Sequence, residues 1–285
     1  MVGLIPRSTL DIYRRSERPP LEFRVGSSTI VCPRHNLGGL YSILFGGTYH
    51  PVLSRISRSD IVIDGGANVG VFSLLAAQRA RRVIAVEPEA ENFRFLSENL
   101  RRNGVDNVIP VRAALWSKEG LAGFDGFGEV GHLSSRGSSM VSTVALDSLG
   151  AGPPSVIKLD IEGAEPTVLG ASSKLGAVHS LVYERDPRAL SQLRSDRPAG
   201  LDPLEDYETL ELSLRRSGFA LSTYGQGQRV TLANLFHPDM IRSEMTSRLF
   251  GTRFAIAALV NNHENVLRPV YPDGFRIVYA LRSLG

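Results

Sequence analysis

A glycine-rich turn between a short apolar strand and an apolar helix is the feature that most constrains this chain. The strand is predicted at Ile61–Ile63, the turn at 64–70 and the helix from Val69 to Ala80. Strands of a parallel sheet are apolar throughout because both of their faces are covered. Glycine permits the positive φ of a tight turn, and a helix begins with free N–H groups. The stretch therefore predicts an α/β fold that binds a ligand where the strand ends.

Asp64 stands directly in front of the glycines and indicates which ligand binds. The turn approximates the G-x-G-x-x-G fingerprint of dinucleotide-binding proteins, with Ala67 in the middle place. A carboxylate at this position repels a pyrophosphate but attracts a ligand that carries an ammonium and a sulfonium. S-adenosylmethionine is such a ligand, and we predict it as the cofactor. Asp64 is expected to orient the turn and the cofactor's amino-acid portion, and Gly66, Asn68 and Gly70 to let the backbone approach it.

Two later strands are expected to complete the cofactor site. The strand Val83–Val86 ends at Glu87, which follows Asp64 at roughly the 20-residue spacing that places an acid beside ribose hydroxyls. We predict that Glu87 accepts hydrogen bonds from both hydroxyls of the ribose. The alternative is that it caps the next helix. A third strand, Val108–Val111, ends before Ala113, which we expect near the adenine.

A further strand end carries the charged residues that we expect to serve the reaction. Val156 to Leu159 is predicted as a strand, with Asp160 near its carboxyl end, where open α/β sheets bind ligands. Charges on an apolar strand are costly unless they pair with each other or with a ligand. We predict Asp160 as the base that takes a hydroxyl proton or as the residue that orients the substrate, and Lys158 as its support. The alternative is a purely structural ion pair between Lys158 and Asp160.

Two histidines are further candidates for a base or a ligand. His50 precedes the central strand, and His132 lies in a Gly- and Ser-rich stretch, 121–143, that predicts an added hairpin with a lid-like tip. An ordinary structural or solvated histidine is the alternative in both cases. Trp116 is expected to pack rather than to stack on the ligand.

Composition narrows the class of protein. The chain has 285 residues, of which 42% are hydrophobic, enough for one large domain with appendages. Cys32 is the only cysteine, which excludes an internal disulfide and a cysteine-cluster metal site, and we predict no metal. No apolar run approaches the roughly 20 residues of a membrane span, and no signal peptide is recognisable. We expect a cytoplasmic protein, and the sequence does not determine its oligomeric state.

Several stretches, in this order, resemble the FkbM family of S-adenosylmethionine-dependent methyltransferases. They are Ile63–Gly70, Val86–Pro88 with Glu91–Phe93, Asn99–Gly104, Thr143–Asp147 and Ile157–Glu165. The resemblance covers about Asp60 to Glu184, although Gly65 and Gly66 stand where a single glycine is more usual. It implies methylation of a hydroxyl on a sugar, a glycan or a secondary metabolite, with a small-molecule or glycan substrate.

The expected fold class is α/β, with the class I methyltransferase (Rossmann-like) architecture. It comprises a doubly wound, mostly parallel sheet with an antiparallel edge strand. The final two strands are predicted at 219–224 and 231–236 and are expected to pair antiparallel. We divide the chain into an N-terminal arm and hairpin region (1–58), a cofactor-binding methyltransferase domain (59–237) and a C-terminal extension (238–285).

Three alternative functions stay open. A nicotinamide-dependent oxidoreductase shares the glycine turn, but its fingerprint asks for neither Asp64 nor the charged stretch at 158–162. An RNA methyltransferase is the second alternative. We do not expect a nucleic-acid partner, because no basic stripe with interleaved aromatic residues is evident and the net charge is only +3. The third is a non-catalytic cofactor-binding module.

Overall fold

The computed structural model describes residues 20–25, 27–33, 36, 43, 49–127, 130–150, 152–196, 205–225 and 276–283. The strands within these ranges are β1 (Leu21–Val25), β2 (Ser28–Cys32), β3 (Ile61–Gly65), β4 (Arg82–Val86), β5 (Val108–Val111), β6 (Ala114–Trp116), β7 (Gly120–Phe127), β8 (Val130–Leu133), β9 (Ser139–Ala145), β10 (Val156–Leu159), β11 (Ser180–Arg185), β12 (Ala220–Gly225) and β13 (Arg276–Leu281). The helices are α1 (His50–Leu53), α2 (Val71–Ala77), α3 (Ala90–Arg102), α4 (Glu165–Gly170), α5 (Pro187–Ser195) and α6 (Tyr207–Arg216), with 3₁₀ turns at Leu146–Ser148 and Lys174–Ala177.

The central sheet has seven strands in the order β12-β13-β11-β10-β3-β4-β5. All neighbours are parallel except β13, which runs antiparallel to both β11 and β12. The predicted α/β fold with a doubly wound and mostly parallel sheet is confirmed. The predicted antiparallel edge strand lies one place in from the edge, because β12 pairs along its outer side.

Alternate residues of the central strands face opposite layers, as the period of two in a strand requires. Ile61 and Ile63 of β3 join one core cluster, whereas Val62 between them joins the other. The first layer contains side chains of α4, α5 and α6, and the second contains side chains of α1, α2 and α3. Ile157 and Leu159 of β10 face the first layer, so Lys158 points to the second.

The insertion at 121–143 is more extensive than the single predicted hairpin. With β6 it forms a separate four-stranded sheet in the order β6-β9-β7-β8. The difference arises because β9 pairs with β7 on one side and with β6 on the other. Trp116 on β6 is fully buried and joins the same core cluster as Phe124 and Val141, so it packs as predicted.

Strand β13 comes from the segment that was predicted as a separate C-terminal extension, 238–285. It lies between β11 and β12 and pairs with both along its length. The end of the chain therefore completes the central sheet, and a boundary after residue 237 does not separate a structural unit. β12, which corresponds to the predicted strand 219–224, pairs with β13, and its predicted partner 231–236 lies outside the described residues, so that pairing stays a prediction.

The N-terminal hairpin of β1 and β2 is attached to α3 through side-chain amides. Asn99 accepts from the Val31 N–H at 2.8 Å and donates to the Val31 carbonyl at 2.9 Å, so it imitates a neighbouring strand. Asn103 accepts from the Thr29 N–H at 2.7 Å. In the described part of the chain, no helix is both long and apolar enough to cross a membrane.

Candidate active site

A cavity of about 370 Å³ lies at the carboxyl end of β3, β4 and β10. Its volume falls within the range of small-molecule sites, roughly 300–1,000 Å³. The lining contains these residues predicted from the sequence: Gly66, Asn68, Glu87, Ala113, Lys158 and Asp160. Neither Asp64 nor Gly70 belongs to the lining, and His132 does whereas His50 does not. The structure thus brings most of the predicted residues to one place, and their roles remain predictions.

Backbone geometry explains the glycines of the turn. Gly66 has φ 68°, and a Cβ on it would lie 1.9 Å from the carbonyl oxygen of Asp160. A Cβ on Gly65 would lie 2.5 Å from Leu115 Cδ1, which accounts for the second glycine. Gly70 has φ 89° and precedes α2, so this helix begins later than predicted. The turn therefore packs directly against the loop after β10.

Asp64 and Lys158 form a buried ion pair beneath the turn. Their charged atoms are 3.0 Å apart, and the two residues lie side by side in the register of β3 and β10. Asp64 also accepts from Ser73 Oγ at 2.6 Å, and Lys158 Nζ donates to the carbonyls of Gly65 at 3.0 Å and Gly66 at 2.7 Å. The expectation that Lys158 pairs with Asp160 is wrong, because strand register places Asp64 within its reach. Lys158 instead holds the turn in shape.

Glu87 faces the cavity at the end of β4. Its two carboxylate oxygens accept from the backbone N–H groups of Asn68 at 2.8 Å and Glu89 at 2.9 Å. The helix cap is Glu89, which accepts from the Asn92 N–H, so Glu87 does not have the alternative capping role. Burial raises the pKa of Glu87 to about 7, although these hydrogen bonds oppose the rise. The side chain of Asn92 also hydrogen-bonds to Glu87, so three of the roughly four acceptor positions of the carboxylate are occupied and the binding of ribose hydroxyls by Glu87 stays a prediction.

We expect cofactor affinity to depend on pH through Glu87. Protonation removes acceptor capacity, so binding is strongest above the pKa of about 7 and is lost as the pH falls through it. One unit below that pKa, the dissociation constant of S-adenosylhomocysteine should rise by about tenfold. Calorimetry between pH 5.5 and 8.5 measures this change. Glu87→Gln should bind weakly at every pH, and a wild-type pH dependence in that variant would exclude Glu87 as its source.

Three further carboxylates make part of the cavity lining acidic. Asp160, Glu162 and Glu184 each offer one carboxylate oxygen, and these oxygens lie within 4.8 Å of one another. Such a spacing also suits a hard cation, so the expected absence of a metal site stays a prediction. Tyr49 Oη donates to Asp160 Oδ2 at 2.9 Å, and its ring meets Phe72 edge-on at 5.5 Å between centroids.

Sequence reasoning missed Tyr49 and Glu184 as site residues. Glu184 stands near the end of a predicted strand, and the carboxyl ends of parallel strands share one edge, so its position was a usable signal. Tyr49 carried no comparable signal, since its contact with Asp160 spans 111 positions of the chain. Both therefore depend on tertiary structure for their place in the site.

The loop between β10 and α4, residues 160–164, is called the acidic loop here, and Glu165 holds it in place. This fully buried carboxylate accepts from the Ile161 N–H at 2.8 Å and from Tyr207 Oη at 2.8 Å. Burial raises the pKa of Glu165 to about 7. Glu162 has a left-handed backbone with φ 54°, which turns the chain sharply after Asp160. Through Glu165, the acidic loop is therefore hydrogen-bonded to the start of α4 and, by way of Tyr207, to α6.

Residues 40–118 match the model of a family described as the TRM5/TYW2 methyltransferase domain. This range contains Tyr49, the glycine turn, Glu87 and Ala113, whereas Asp160 and Glu184 lie beyond it. The match therefore covers the part of the site that faces the predicted cofactor.

Two relatives and one solved structure illustrate the similarity. The tRNA (guanine(37)-N(1))-methyltransferase of Danio rerio is 33% identical over 98 residues, which are 31% of this chain and 20% of the relative. The tRNA (guanine(37)-N(1))-methyltransferase Trm5b of Pyrococcus abyssi is 35% identical over 60 residues, which are 21% of this chain and 18% of the relative. The crystal structure of methyltransferase FkbM from Methylobacillus flagellatus KT is 17% identical, with a TM-score of 0.47, and the alignment covers 67% of this chain and 52% of that one.

The comparisons confirm part of the prediction and correct another part. The chain contains an S-adenosylmethionine-dependent methyltransferase domain, and S-adenosylmethionine is the cofactor. The predicted hydroxyl acceptor on a sugar, glycan or secondary metabolite is wrong, as is the expectation of no nucleic-acid partner, because the two relatives described above are named tRNA (guanine(37)-N(1))-methyltransferases. The chain spans only about a fifth of the length of these curated relatives.

Proposed function

We propose that this protein transfers a methyl group from S-adenosylmethionine to a base of RNA. The observation that carries the proposal is the match of residues 40–118 to the TRM5/TYW2 methyltransferase domain, together with relatives named for tRNA methylation. The matched residues form the turn and Glu87, so they support the shared cofactor directly. The RNA acceptor is inferred from the relatives and from the chemistry of the remaining part of the cavity.

The acidic side of the cavity favours a base over the sugar–phosphate backbone. Carboxylates accept hydrogen bonds from the N–H groups on base edges and repel phosphate oxygens. Asp160, Glu162 and Glu184 are partly buried, so their charges are less screened than those on an open surface. A base must leave its stack to reach such a cavity, as RNA-modifying sites commonly require.

The residues of the chain divide the work of binding and reaction. S-adenosylmethionine, when bound, supplies a methyl group activated by a positively charged sulfur. Glu87 binds the ribose hydroxyls, and the turn that Lys158 supports shapes the surface on which the cofactor lies. Asp160 faces the acceptor and orients it or takes its proton. Alignment of the reacting atoms contributes up to about 7–11 kcal/mol in well-oriented systems.

Three expectations about the whole chain accompany this proposal. The resemblance to the FkbM family rests partly on 157–165, outside the range matched by the family model, and we retain it as a hypothesis about descent. The division into 1–58, 59–237 and 238–285 is retained as a functional proposal, with β13 assigned to the sheet. The cytoplasmic location expected from the sequence is retained as a proposal.

Labelled-methyl transfer to RNA tests the proposal. Purified protein with radiolabelled S-adenosylmethionine should label unmodified tRNA or rRNA transcripts, and digestion to nucleosides should place the label on a base. Asp160→Asn should lower the rate by about 10²–10⁴-fold if Asp160 takes the proton, with S-adenosylhomocysteine binding retained.

Two outcomes would contradict the proposal that a base of RNA is the acceptor. Label on the ribose would place the methyl group on the backbone rather than on a base. Stabilisation by S-adenosylhomocysteine without labelling of any transcript would favour a non-catalytic module or another acceptor. A ligand at about 100 times its dissociation constant adds about 2.7 kcal/mol to the folded state, so thermal unfolding reports cofactor binding independently.

A further inference from the structure

Glu184 lies beside Asp160 because their strands are neighbours. β10 and β11 run parallel, with Leu159 opposite Tyr183, so the next residues of the two strands are Asp160 and Glu184. Both residues line the cavity, and a carboxylate oxygen of Asp160 lies within 4.8 Å of one of Glu184. Two carboxylates from neighbouring strands therefore lie close together in the lining of one cavity.

Among the described residues, the strongest electrostatic influences on Glu184 come from other carboxylates. The titratable groups that face it are those of Asp160, Glu162, Glu165, Tyr49 and Tyr207. Lys158, which lines the same cavity, is held by Asp64 and two backbone carbonyls. Burial and the charges of Asp160 and Glu162 raise the pKa of Glu184 well above its usual range. Like charges at short distance favour one shared proton.

We propose that Glu184 and Asp160 act together as the proton acceptor for the atom that is methylated, with Tyr49 as a positioning residue. The inference rests on the proposed function, in which the acceptor is a base N–H. As the N–C bond to the methyl group forms, the N–H bond breaks and its electron pair stays on nitrogen. The proton moves to the doubly ionised carboxylate pair, and the electron pair of the former C–S bond stays on sulfur.

A coupled pair suits this step better than Asp160 alone. General bases work best when their proton affinity matches the working pH, whereas a lone carboxylate holds protons too weakly. In a pair, the first proton is bound more tightly because it relieves the repulsion between two negative charges. Tyr49 Oη donates to Asp160 Oδ2, which fixes that carboxylate and leaves Glu184 as the member that takes the proton.

The pH profile of Glu184→Gln tests the pair. With S-adenosylmethionine saturating at every pH, which removes the effect of Glu87 on cofactor binding, single-turnover methylation by the wild type should rise with pH as the pair loses its shared proton. Glu184→Gln should lose that rise and about 10²–10⁴-fold of the rate at high pH, while its affinity for S-adenosylhomocysteine stays unchanged. Glu208→Gln is the matched control, because it removes an exposed carboxylate that pairs with Arg185, the neighbour of Glu184. A wild-type rate and profile in Glu184→Gln would overturn the proposal.

Carboxyl titration tests the same pair without turnover. In protein labelled with carboxyl-¹³C glutamate, one glutamate in addition to Glu87 and Glu165 should titrate above the usual range and be absent from Glu184→Gln. Asp160→Asn should move that titration downward, since one negative charge is gone. No movement would overturn the pair, even if Glu184→Gln proves too unstable for kinetics. If no RNA is methylated but the titration moves, the RNA acceptor fails while the carboxylate pair stands.

Discussion

Lys158→Met is expected to lower the free energy of unfolding by about 3–5 kcal/mol, the usual cost of removing one partner from a buried ion pair. Asp64 has no solvent exposure and Lys158 is 2% exposed, so water cannot replace the lost charge. The substitution would leave Asp64 with Ser73 as its partner and would also remove the donor to the carbonyls of Gly65 and Gly66. Urea unfolding measures the change, and the turn should bind S-adenosylhomocysteine more weakly.

Lys118→Met provides the control, because it makes the same chemical change at an exposed lysine. We expect an effect within about 0.5 kcal/mol there. The double variant Lys158→Met/Asp64→Asn should be less destabilised than the sum of the single variants, since it removes both buried charges. If Lys158→Met unfolds at the same urea concentration as the control, the ion pair does not support the turn.

Gly66→Ala should be the second strongly damaging change. Its left-handed backbone, at φ 68°, disfavours a side chain, and the new Cβ would lie 1.9 Å from the Asp160 carbonyl oxygen. Left-handed strain costs about 1–3 kcal/mol and overpacking about 1–3 kcal/mol more. Because relief requires movement of the turn or the acidic loop, methyl transfer should fall by about 100-fold, the cost of a displacement near 1 Å.

Gly104→Ala separates the two causes. Gly104 has a similar φ of 60°, but a Cβ there would meet no atom within 4 Å. The free energy of unfolding of Gly104→Ala should fall by about 1 kcal/mol, which is the cost of placing a residue with a Cβ in a left-handed backbone conformation. Equal losses of unfolding free energy at the two positions would show that contact with the acidic loop is unimportant at Gly66.

Local patterns were sufficient to predict the strand ends that carry Asp64 and Glu87. Continuous apolar residues before 64 predicted a covered strand, and the glycines predicted a turn because they tolerate positive φ. The spacing to Glu87 followed from the length of one strand–helix–strand unit. Each of these inferences depends on residues within one short segment of the chain. For this reason the strands predicted before Asp64 and Glu87 agree with β3 and β4.

The sequence by itself determined the fold class, the cofactor and the strand end that carries Asp160. Only the tertiary structure decided that Lys158 pairs with Asp64, that Tyr49 and Glu184 join Asp160, and that β13 completes the sheet. The physical reason is strand register and long-range packing. The partner of a long lysine side chain, or of a returning strand, depends on which segments lie side by side, and residues distant in sequence carry no local pattern that specifies it.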